Sequence, residues 1–298
     1  MPETYESGTA VVTGATSGIG KAAALSLAAS GIHVIGVGRS KEKLAALKAE
    51  MEAKSPGARF TGLICDFGSL KQVRGLAESV KAVLKESSGG RLDCLMNVAG
   101  QFVSWHSTTE EGYETQFAVN HLAPFLLTNL LLDNLCGHPS RVITVSSESH
   151  YHAWIKWNDV MQNRFYNPLF AYMQSKLANV LFTYELNRRF GDECGLMAYA
   201  VSPGLVNTDI ALKNSMGISR LVWLLRKGKG KSPEEGAKTC IYLATEKDIP
   251  APLEPYWEDC APCRHSRRSK DPDYARRLWD LSARLTGLVS EQRPDAGA

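Results

Sequence analysis

Two side chains in the second half of this chain, Tyr172 and Lys176, are suited to proton transfer. Their spacing of four residues places both on one face of a helix. A phenol with a pKa of ~10 is a poor acid or base at neutral pH unless its anion is stabilised, and a nearby ammonium group stabilises that anion electrostatically. The pair therefore predicts acid–base chemistry. The spacing alone is weak evidence, because about one in every two chains of this composition contains such a match by chance.

Two more polar residues extend the predicted site. The Ser147 hydroxyl follows a predicted strand and can hydrogen-bond a substrate oxygen, polarising a carbonyl or holding an alkoxide. Asn120 lies inside a predicted helix, where its amide can hold a water molecule that relays protons to Lys176. The alternative for Asn120 is an ordinary polar position of a helix.

A glycine-rich turn near the start of the chain is suited to binding phosphate. Residues 10–12 are an apolar run, Gly14, Gly18 and Gly20 follow, and an alanine-rich segment comes next. Glycines let the backbone approach a pyrophosphate, and the N-terminus of the following helix offers N–H groups and the positive end of its dipole. Small residues also occur here simply to let helix and strand pack closely, so the turn alone leaves both interpretations open.

Residues at three later strand ends agree with a dinucleotide. Arg39-Ser40 follows the second predicted strand, where an acidic residue would bind a ribose 2′-hydroxyl and an arginine suits a 2′-phosphate. A solvated surface arginine is the alternative. Asp66 follows the third strand, placed to reach an adenine amine, and residues 97–100 after the fourth are small enough for a cofactor to lie against the backbone.

These residues need a framework that brings successive strand ends to one edge. Apolar runs at 33–38, 60–65, 92–98, 141–146 and 197–202 predict strands that alternate with helices at 41–53, 70–85, 117–135 and 169–190. Such alternation predicts an α/β fold, a Rossmann-type doubly wound parallel sheet in a single domain with helices on both faces. Ligands of such sheets bind at the carboxyl ends of the strands.

Composition narrows the class of protein. The chain has 298 residues, 44% hydrophobic and 22% charged, with a net charge of +3, which is too small to indicate nucleic-acid binding. Seven scattered cysteines indicate reduced thiols and a cytoplasmic protein. Cys260, Cys263 and His265 lack the second cluster that structural zinc needs, so we expect no metal. Residues 1–8 are polar and run directly into the first strand, so we expect no signal peptide or anchor.

In their order along the chain, these motifs resemble the short-chain dehydrogenase/reductase family over about residues 9–258. The resemblance implies a catalytic tetrad of Asn120, Ser147, Tyr172 and Lys176, in which Tyr172 exchanges the proton. It also implies a cofactor site formed by Gly14, Thr16, Ser17, Gly18, Ile19, Gly20, Arg39, Ser40, Asp66, Phe67, Asn97, Ala99, Gly100, Tyr172, Lys176, Pro203, Gly204, Val206 and Thr208. Val98 departs from the family's second asparagine, and the interval from Ser147 to Tyr172 is longer than usual.

That longer interval, with the segments 147–150, 175–182, 256–260 and 278–282, is similar to a retinol-dehydrogenase-like subgroup. WW-domain-containing and X-linked dehydrogenase/reductase types are similar too. The resemblance implies an NADP(H)-dependent oxidoreductase that interconverts an alcohol with an aldehyde or ketone on a lipophilic substrate such as a retinoid, steroid or polyprenal. A cofactor-binding regulatory or scaffold protein with little turnover is the alternative, and a lyase or epimerase on the same fold stays open.

Two apolar segments leave the strand ends that face the predicted cofactor. The aromatic-rich insert at 150–170 and a lid at 205–231 are expected to wall the substrate pocket, with packing over the sheet edge or a homo-oligomer contact as the alternative. Residues 221–225 precede four cations within 226–231, a pattern that fits weak peripheral contact with a membrane surface or a soluble lid. Residues 259–298 are expected to form a C-terminal extension.

Overall fold

The computed structural model describes residues 8–206, 230–249 and 254–288. They contain an eight-stranded sheet in the order β3-β2-β1-β4-β5-β6-β7-β8. The strands are β1 (Thr9–Thr13), β2 (His33–Gly38), β3 (Phe60–Ile64), β4 (Cys94–Asn97), β5 (Ser140–Val145), β6 (Leu196–Val201), β7 (Tyr256–Glu258) and β8 (Ala261–Pro262). All neighbours pair in parallel except β7 and β8. The predicted doubly wound parallel sheet is confirmed, and its order reverses between β1 and β4, where such sheets bind ligands.

Helices cover both faces of this sheet. They are α1 (Gly18–Ala29), α2 (Lys41–Lys54), α3 (Leu70–Ser87), α4 (Thr115–Phe117), α5 (Ala123–Leu130), α6 (Leu132–Leu135), α7 (Pro168–Cys194), α8 (Pro233–Thr245) and α9 (Pro272–Leu285). One apolar core joins α3, α5, α7 and α9 to the sheet. A second core joins α1, α2 and α8 to the opposite face. Every residue of β1 and β2 is accordingly buried.

Four helices that follow β2, β3, β5 and β6 in the chain begin at polar caps. The hydroxyls of Ser40, Ser69 and Ser232 and the amide of Asn167 each accept a hydrogen bond from a backbone N–H in the first turn of α2, α3, α8 and α7. At α8 the cap is reciprocal, since Glu235 accepts from the Ser232 N–H. These caps start helices close to the carboxyl edge of the sheet, which is where the predicted site residues converge.

The predicted continuous helix at 117–135 was wrong. The chain is helical from Thr115, but Ala118–Leu122 forms a π-helical turn, and Leu131 (φ −105°) separates α5 from α6. A π turn holds one residue more than an α turn, and such turns are frequent at functional sites. Apolar periodicity does not register a single extra residue, so the sequence predicted an unbroken helix.

Several elements near the C-terminus were not predicted. The expected C-terminal extension contributes β8 and α9 to the fold, and Trp279 of α9 is only 6% exposed among the rings of Phe125 and Phe182. The expected lid at 205–231 lies largely outside the described residues, which omit 207–229 and therefore Thr208 and most of the segment considered for membrane contact.

Two further observations concern only the described ranges. No helix there is long and apolar enough to cross a membrane. No three His, Cys, Asp or Glu side chains in those ranges are grouped so that they could hold a metal ion, and Cys260 and Cys263 are free thiols.

Candidate active site

The glycine-rich turn brings β1, α1 and β4 into close backbone contact. Gly14 and Gly18 have φ values of 68° and 53°, which disfavour other residues. A Cβ atom on Gly20 would lie 2.3 Å from the Gly14 carbonyl oxygen. The Ser17 side chain makes no capping hydrogen bond to α1, and the first turn carries no acidic residue. The first N–H groups of α1 therefore remain available to an anion at the positive end of the helix.

Thr13 joins this turn to the end of β4. Its hydroxyl accepts hydrogen bonds from the N–H groups of Val98 (2.9 Å) and Ala99 (3.0 Å) and donates to the Met96 carbonyl at 3.3 Å. Sequence reasoning assigned Thr13 no role, although its place just before Gly14 was visible. The bonds hold the main chain of residues 97–100 beside the glycines, and the Val98 main chain takes part despite the missing asparagine side chain.

Two predicted cofactor residues have side chains that point away from the edge of the sheet. Asn97 is buried and its amide nitrogen donates to the hydroxyls of Thr128 (3.2 Å) and Thr144 (3.5 Å). Phe67 is 6% exposed within the apolar core. Strand alternation and helix packing turn both side chains inward, so the predicted cofactor contact of these two residues would have to use the backbone, as the sequence predicts for residues 97–100. Only their main chains remain for such a contact.

Arg39 and Ser40 differ in whether their side chains are free to bind a phosphate group. The Arg39 side chain is exposed and makes no ion pair within the described ranges. The Ser40 hydroxyl caps α2, accepting from Lys43 N at 3.2 Å, and donates to the Glu42 carboxylate at 2.7 Å. That bond also lowers the pKa of Glu42. Ser40 is therefore poorly placed to bind a phosphate, because its hydroxyl proton is donated to Glu42 and the Glu42 carboxylate would repel the phosphate.

Asp66 lies exposed at the end of β3. One of its carboxylate oxygens accepts from the Gly68 N–H at 3.0 Å, and its own N–H donates to the Gln72 side chain at 3.0 Å. These bonds orient the loop and leave the second carboxylate oxygen for an external donor, while the contact to an adenine amine remains a prediction.

The π-helical turn delivers Asn120 to the loop after β4. Its Oδ1 accepts from Gln101 N at 2.7 Å, and its Nδ2 donates to Gln101 O and to Ser175 Oγ, both at 3.0 Å. Gly100 is required here, since a Cβ atom would lie 3.2 Å from Asn120 Oδ1. Both amide hydrogens are thus donated to protein. The predicted water relay cannot use them and has only the oxygen or the main chain of Asn120 available.

The Ser147 hydroxyl lies close enough to the Tyr172 phenol to lower its pKa. Ser147 directly follows Ser146 at the end of β5, and its hydroxyl also accepts from the Ser149 N–H at 3.2 Å. Burial raises the pKa of Tyr172 to about 12, and the nearby Ser147 hydroxyl offsets part of this rise. In the free protein the phenol is therefore neutral, and the predicted lowering of its pKa by Lys176 does not outweigh desolvation.

Lys176 lies beneath the Tyr172 ring, with its Nζ atom 5.4 Å from the ring centroid. The ammonium group donates to the Val145 carbonyl at 3.0 Å, and the same oxygen accepts from Asn179 Nδ2 at 3.2 Å. Burial lowers the pKa of Lys176 to about 8. Asn179, one turn further along α7, was not singled out from the sequence, although its spacing of three from Lys176 places it on the same face.

The loop after β6 closes the other side of the site. Gly204 has a φ of 71°, and Pro203 precedes it. The Val206 main chain pairs with Lys231, and its side chain packs against Gly236 of α8, near Ile19. Lys231 also forms an ion pair with Asp259. Sequence reasoning did not foresee this link between the glycine-rich turn and the β7–β8 hairpin.

The aromatic insert divides into anchored and exposed residues. Tyr166 donates to the Val103 carbonyl (3.0 Å) and accepts from Gln116 (2.8 Å), and Trp157 packs against Tyr274. Trp154 and Phe165 are 46% and 71% exposed. Some rings of the insert thus anchor it to neighbouring elements while others are exposed, and the expected substrate-pocket wall remains a prediction.

Comparison with known proteins agrees with this geometry. The family model for short chain dehydrogenases matches residues 8–217. Retinol dehydrogenase 13 of Homo sapiens is 39% identical over 290 residues, covering 94% of this chain and 85% of that protein. Polyprenol dehydrogenase of Homo sapiens is 35% identical over 291 residues, with 94% and 85% covered. The crystal structure of an uncharacterized protein from Mycobacterium paratuberculosis has a TM-score of 0.75 and 33% identity, covering 95% of both chains.

The buried ammonium group yields a test of stability. Below pH 8 Lys176 is protonated in both the folded and the unfolded state, and desolvation of its charge destabilises the fold by up to about 3 kcal/mol. Between pH 8 and its ordinary pKa of 10.5 the unfolded state binds more protons, so this penalty fades as pH rises. We predict that Lys176→Met raises the unfolding free energy at pH 7 by about 1–3 kcal/mol, and that the gain disappears near pH 10.5.

Urea unfolding of both proteins from pH 6.5 to 10.5 measures the difference. Lys238→Met, at an exposed position of α8, is the control and should stay within about 0.5 kcal/mol of the natural chain at every pH. A Lys176→Met protein that is less stable at pH 7 would show that the ammonium group is net favourable and contradict the argument.

Proposed function

Because the chain belongs to the short-chain dehydrogenase/reductase family and is therefore an oxidoreductase of CH–OH groups with a nicotinamide cofactor, we propose that it uses NADP(H) to interconvert a lipophilic alcohol with its aldehyde or ketone. The observation that carries the proposal is that the Ser147 hydroxyl lies near the Tyr172 phenol while the Lys176 ammonium group lies beneath the phenol ring. Two hydroxyls that meet at one point can both bind a single substrate oxygen, which is what carbonyl reduction requires.

The residues around the glycine-rich turn fit a dinucleotide. The uncapped start of α1 suits a pyrophosphate, and the free oxygen of Asp66 suits an amine. The backbones of Gly14 and Ala99 lie so close together that a Cβ atom on Gly14 would be 3.1 Å from Ala99 Cα. They form a surface against which a cofactor can lie. When bound there, the nicotinamide supplies or accepts the hydride.

The side chains of the chain itself then handle the proton. In the reducing direction Ser147 donates a hydrogen bond to the carbonyl oxygen, and Tyr172 transfers its phenolic proton to that oxygen as negative charge develops. The resulting phenolate lies above the Lys176 ammonium group, which stabilises it. With a pKa of about 8, Lys176 is largely charged at neutral pH and close enough to neutrality to pass a proton onward. Oxidation reverses these steps.

Removal of the phenolic proton tests this assignment. Tyr172→Phe keeps the ring over Lys176 but has no proton to transfer, so we expect kcat to fall at least ~100-fold while NADPH affinity stays within about twofold. Steady-state turnover of all-trans-retinal and fluorescence titration of NADPH measure the two quantities. Tyr242→Phe, on α8 away from the site, is the matched control and should behave as the natural chain. Near-normal turnover by Tyr172→Phe would refute the assignment.

The lipophilic substrate class is supported by where apolar surface is exposed. Among the described residues, nearly all large exposed hydrophobic side chains lie in the segments that follow β4, β5 and β6, and Ile64 is the exception. These side chains are Trp105, Tyr151, Trp154, Phe165, Leu169 and Leu205. These segments start at the edge that holds Ser147 and Tyr172. The names of the relatives, retinol dehydrogenase 13 and polyprenol dehydrogenase, also designate long apolar alcohols.

A homologous series of aldehydes tests the class. If the pocket buries the chain, each methylene contributes ~0.8 kcal/mol, or about fourfold in kcat/KM, from hexanal until the pocket is filled. Aldehydes of the same lengths with a terminal carboxylate are the matched controls and should lose this gain. A flat response across the uncharged series would contradict a lipophilic pocket. Absence of turnover with every aldehyde, ketone and alcohol tried would favour a cofactor-binding regulatory protein.

Preference for NADP(H) rests on Arg39 at the end of β2, where the adenosine ribose of a dinucleotide lies in such sheets. A charge-assisted bond from the guanidinium group to a 2′-phosphate contributes roughly 1.5–3 kcal/mol. Arg39→Asp should therefore weaken NADPH binding at least tenfold without weakening NADH binding. Glu42→Gln, which removes the carboxylate beside Ser40, should tighten NADPH binding. Calorimetric titration with NADPH and NADH measures both affinities. Tighter binding of NADH than of NADPH by the natural chain would overturn the preference.

A further inference from the structure

One buried imidazole, that of His150, lies between Ser147 and the segment that follows β8. His150 belongs to the 3-10 turn Glu148–His152, and no part of it is exposed. Its ring lies between those of Tyr151 and Tyr256, with centroids 4.4 and 4.6 Å away. The chemistry proposed above does not use this ring, although both of its nitrogens have hydrogen-bond partners.

The two hydrogen bonds of His150 define its tautomer. Nδ1 lies 2.8 Å from the Ser147 carbonyl oxygen, which can only accept, so Nδ1 carries the proton. Nε2 lies 3.2 Å from the backbone nitrogen of Ser266, whose N–H can only donate, so Nε2 is unprotonated. Burial lowers the pKa of His150 to about 4, which agrees with a neutral ring at pH 7.

The first of these bonds acts on the residue that carries the proposed chemistry. The Ser147 carbonyl accepts from the His150 N–H (3.1 Å) as well as from the ring, while the Ser147 hydroxyl accepts from the Ser149 N–H (3.2 Å). The turn thus holds Ser147 by hydrogen bonds to both its carbonyl oxygen and its hydroxyl. Rotation of this peptide group would move the hydroxyl away from Tyr172.

The second bond depends on a rigid donor outside the wound sheet. Ser266 caps the 3-10 turn Arg267–Lys270, and the buried Ser269 hydroxyl bonds to His265 Nδ1 at 2.8 Å. His265 Nε2 in turn lies 2.9 Å from both Glu254 and Tyr184 of α7. The Ser266 N–H is therefore held by a network that returns to the helix bearing Tyr172 and Lys176.

We propose that His150 is a positioning residue, which holds the Ser147 hydroxyl in register with Tyr172 by bridging the Ser147 carbonyl to the Ser266 N–H. The inference rests on the proposed role of Ser147. Its consequence is that residues 266–270, far from the site in sequence, set the geometry of the serine. Misplacement by about 1 Å is enough to lower turnover up to ~100-fold.

Substitutions at His150 separate the two bonds. An asparagine amide can occupy the place of Nδ1 and donate to Ser147, whereas a glutamine amide reaches the place of Nε2. We expect His150→Ala to lower kcat for all-trans-retinal at least tenfold, with NADPH affinity unchanged within twofold. His150→Asn, which keeps the bond to Ser147 but lacks the one to Ser266, should restore only part of the loss, and His150→Gln little of it. His152→Ala, an exposed histidine of the same turn, should leave turnover unchanged.

Substitutions at Ser266 test the other end of the bridge without touching the imidazole. Ser266 has φ −63°, which suits proline, and Ser266→Pro removes the N–H together with the capping hydroxyl. Ser266→Ala removes the hydroxyl alone. We expect Ser266→Pro to have a kcat at least threefold below that of Ser266→Ala, at similar melting temperatures. Equal kcat values for the two variants would overturn the bridge.

Ser147→Ala in the same assay distinguishes this inference from the proposed function. If Ser147→Ala keeps the natural kcat, the role of Ser147 fails and the positioning inference fails with it. If Ser147→Ala loses turnover while His150→Ala and Ser266→Pro keep it within twofold, only the positioning inference is overturned. A second readout needs no substrate: the 15N spectrum of histidine-labelled full chain should show His150, identified by its absence in His150→Gln, as the Nδ1–H tautomer at pH 7. The Nε2–H tautomer would overturn the inference.

Discussion

Burial of the Lys176 ammonium group against the end of β5 is the constraint on which this site depends. A charged group in an apolar interior is tolerated only where the fold supplies fixed polar partners. Here the Val145 carbonyl accepts from Lys176 and from Asn179 together, and the Ser146 hydroxyl donates to the Lys176 carbonyl at 2.8 Å. These bonds lock α7 to β5, so that Tyr172 of the helix and Ser147 of the strand end meet at one point.

The dinucleotide side of the site depends on a different property, the removal of side chains. Gly14 and Gly20 lie where a Cβ atom would crowd or collide with a neighbouring backbone, and a Cβ atom on Gly100 would crowd the Asn120 side chain. Thr13 compensates for the lost packing by tying the ends of β1 and β4 together with three hydrogen bonds. The result is a smooth backbone wall beside the free N-terminus of α1, while the chemistry remains on the side of β5 and α7.

Segments beyond the wound sheet complete the catalytic side. The β7–β8 hairpin, the turn at Arg267–Lys270 and α9 all pack around α7 and the insert after β5. Buried polar side chains make this attachment specific: His121 bonds to Ser282 of α9 at 2.8 Å, and His150 bonds to Ser266. His121 adjoins Asn120 in the π turn, and desolvation lowers its pKa to about 3, so it packs as a neutral ring. The C-terminal part of the chain thus contacts the neighbours of two proposed catalytic residues.

The sequence by itself determined the fold class and the positions of the first six strands, because apolar periodicity is local and parallel strands end at a common edge. The motifs and the family resemblance placed Tyr172 and Ser147 in one site. The sequence did not determine which way a strand-end side chain turns. Asn97 and Phe67 face inward, the Ser40 hydroxyl is taken by a helix cap, and the Asn120 amide is engaged by Gln101. The tertiary structure decided the orientation of Asn97, Asn120 and His150, because their hydrogen-bond partners lie far away in the chain. It also decided that of Phe67, which packs in the apolar core. The Ser40 cap is local, but Ser40 competes for its own neighbours Glu42 and Lys43, and strand-end position alone does not show which partner it takes.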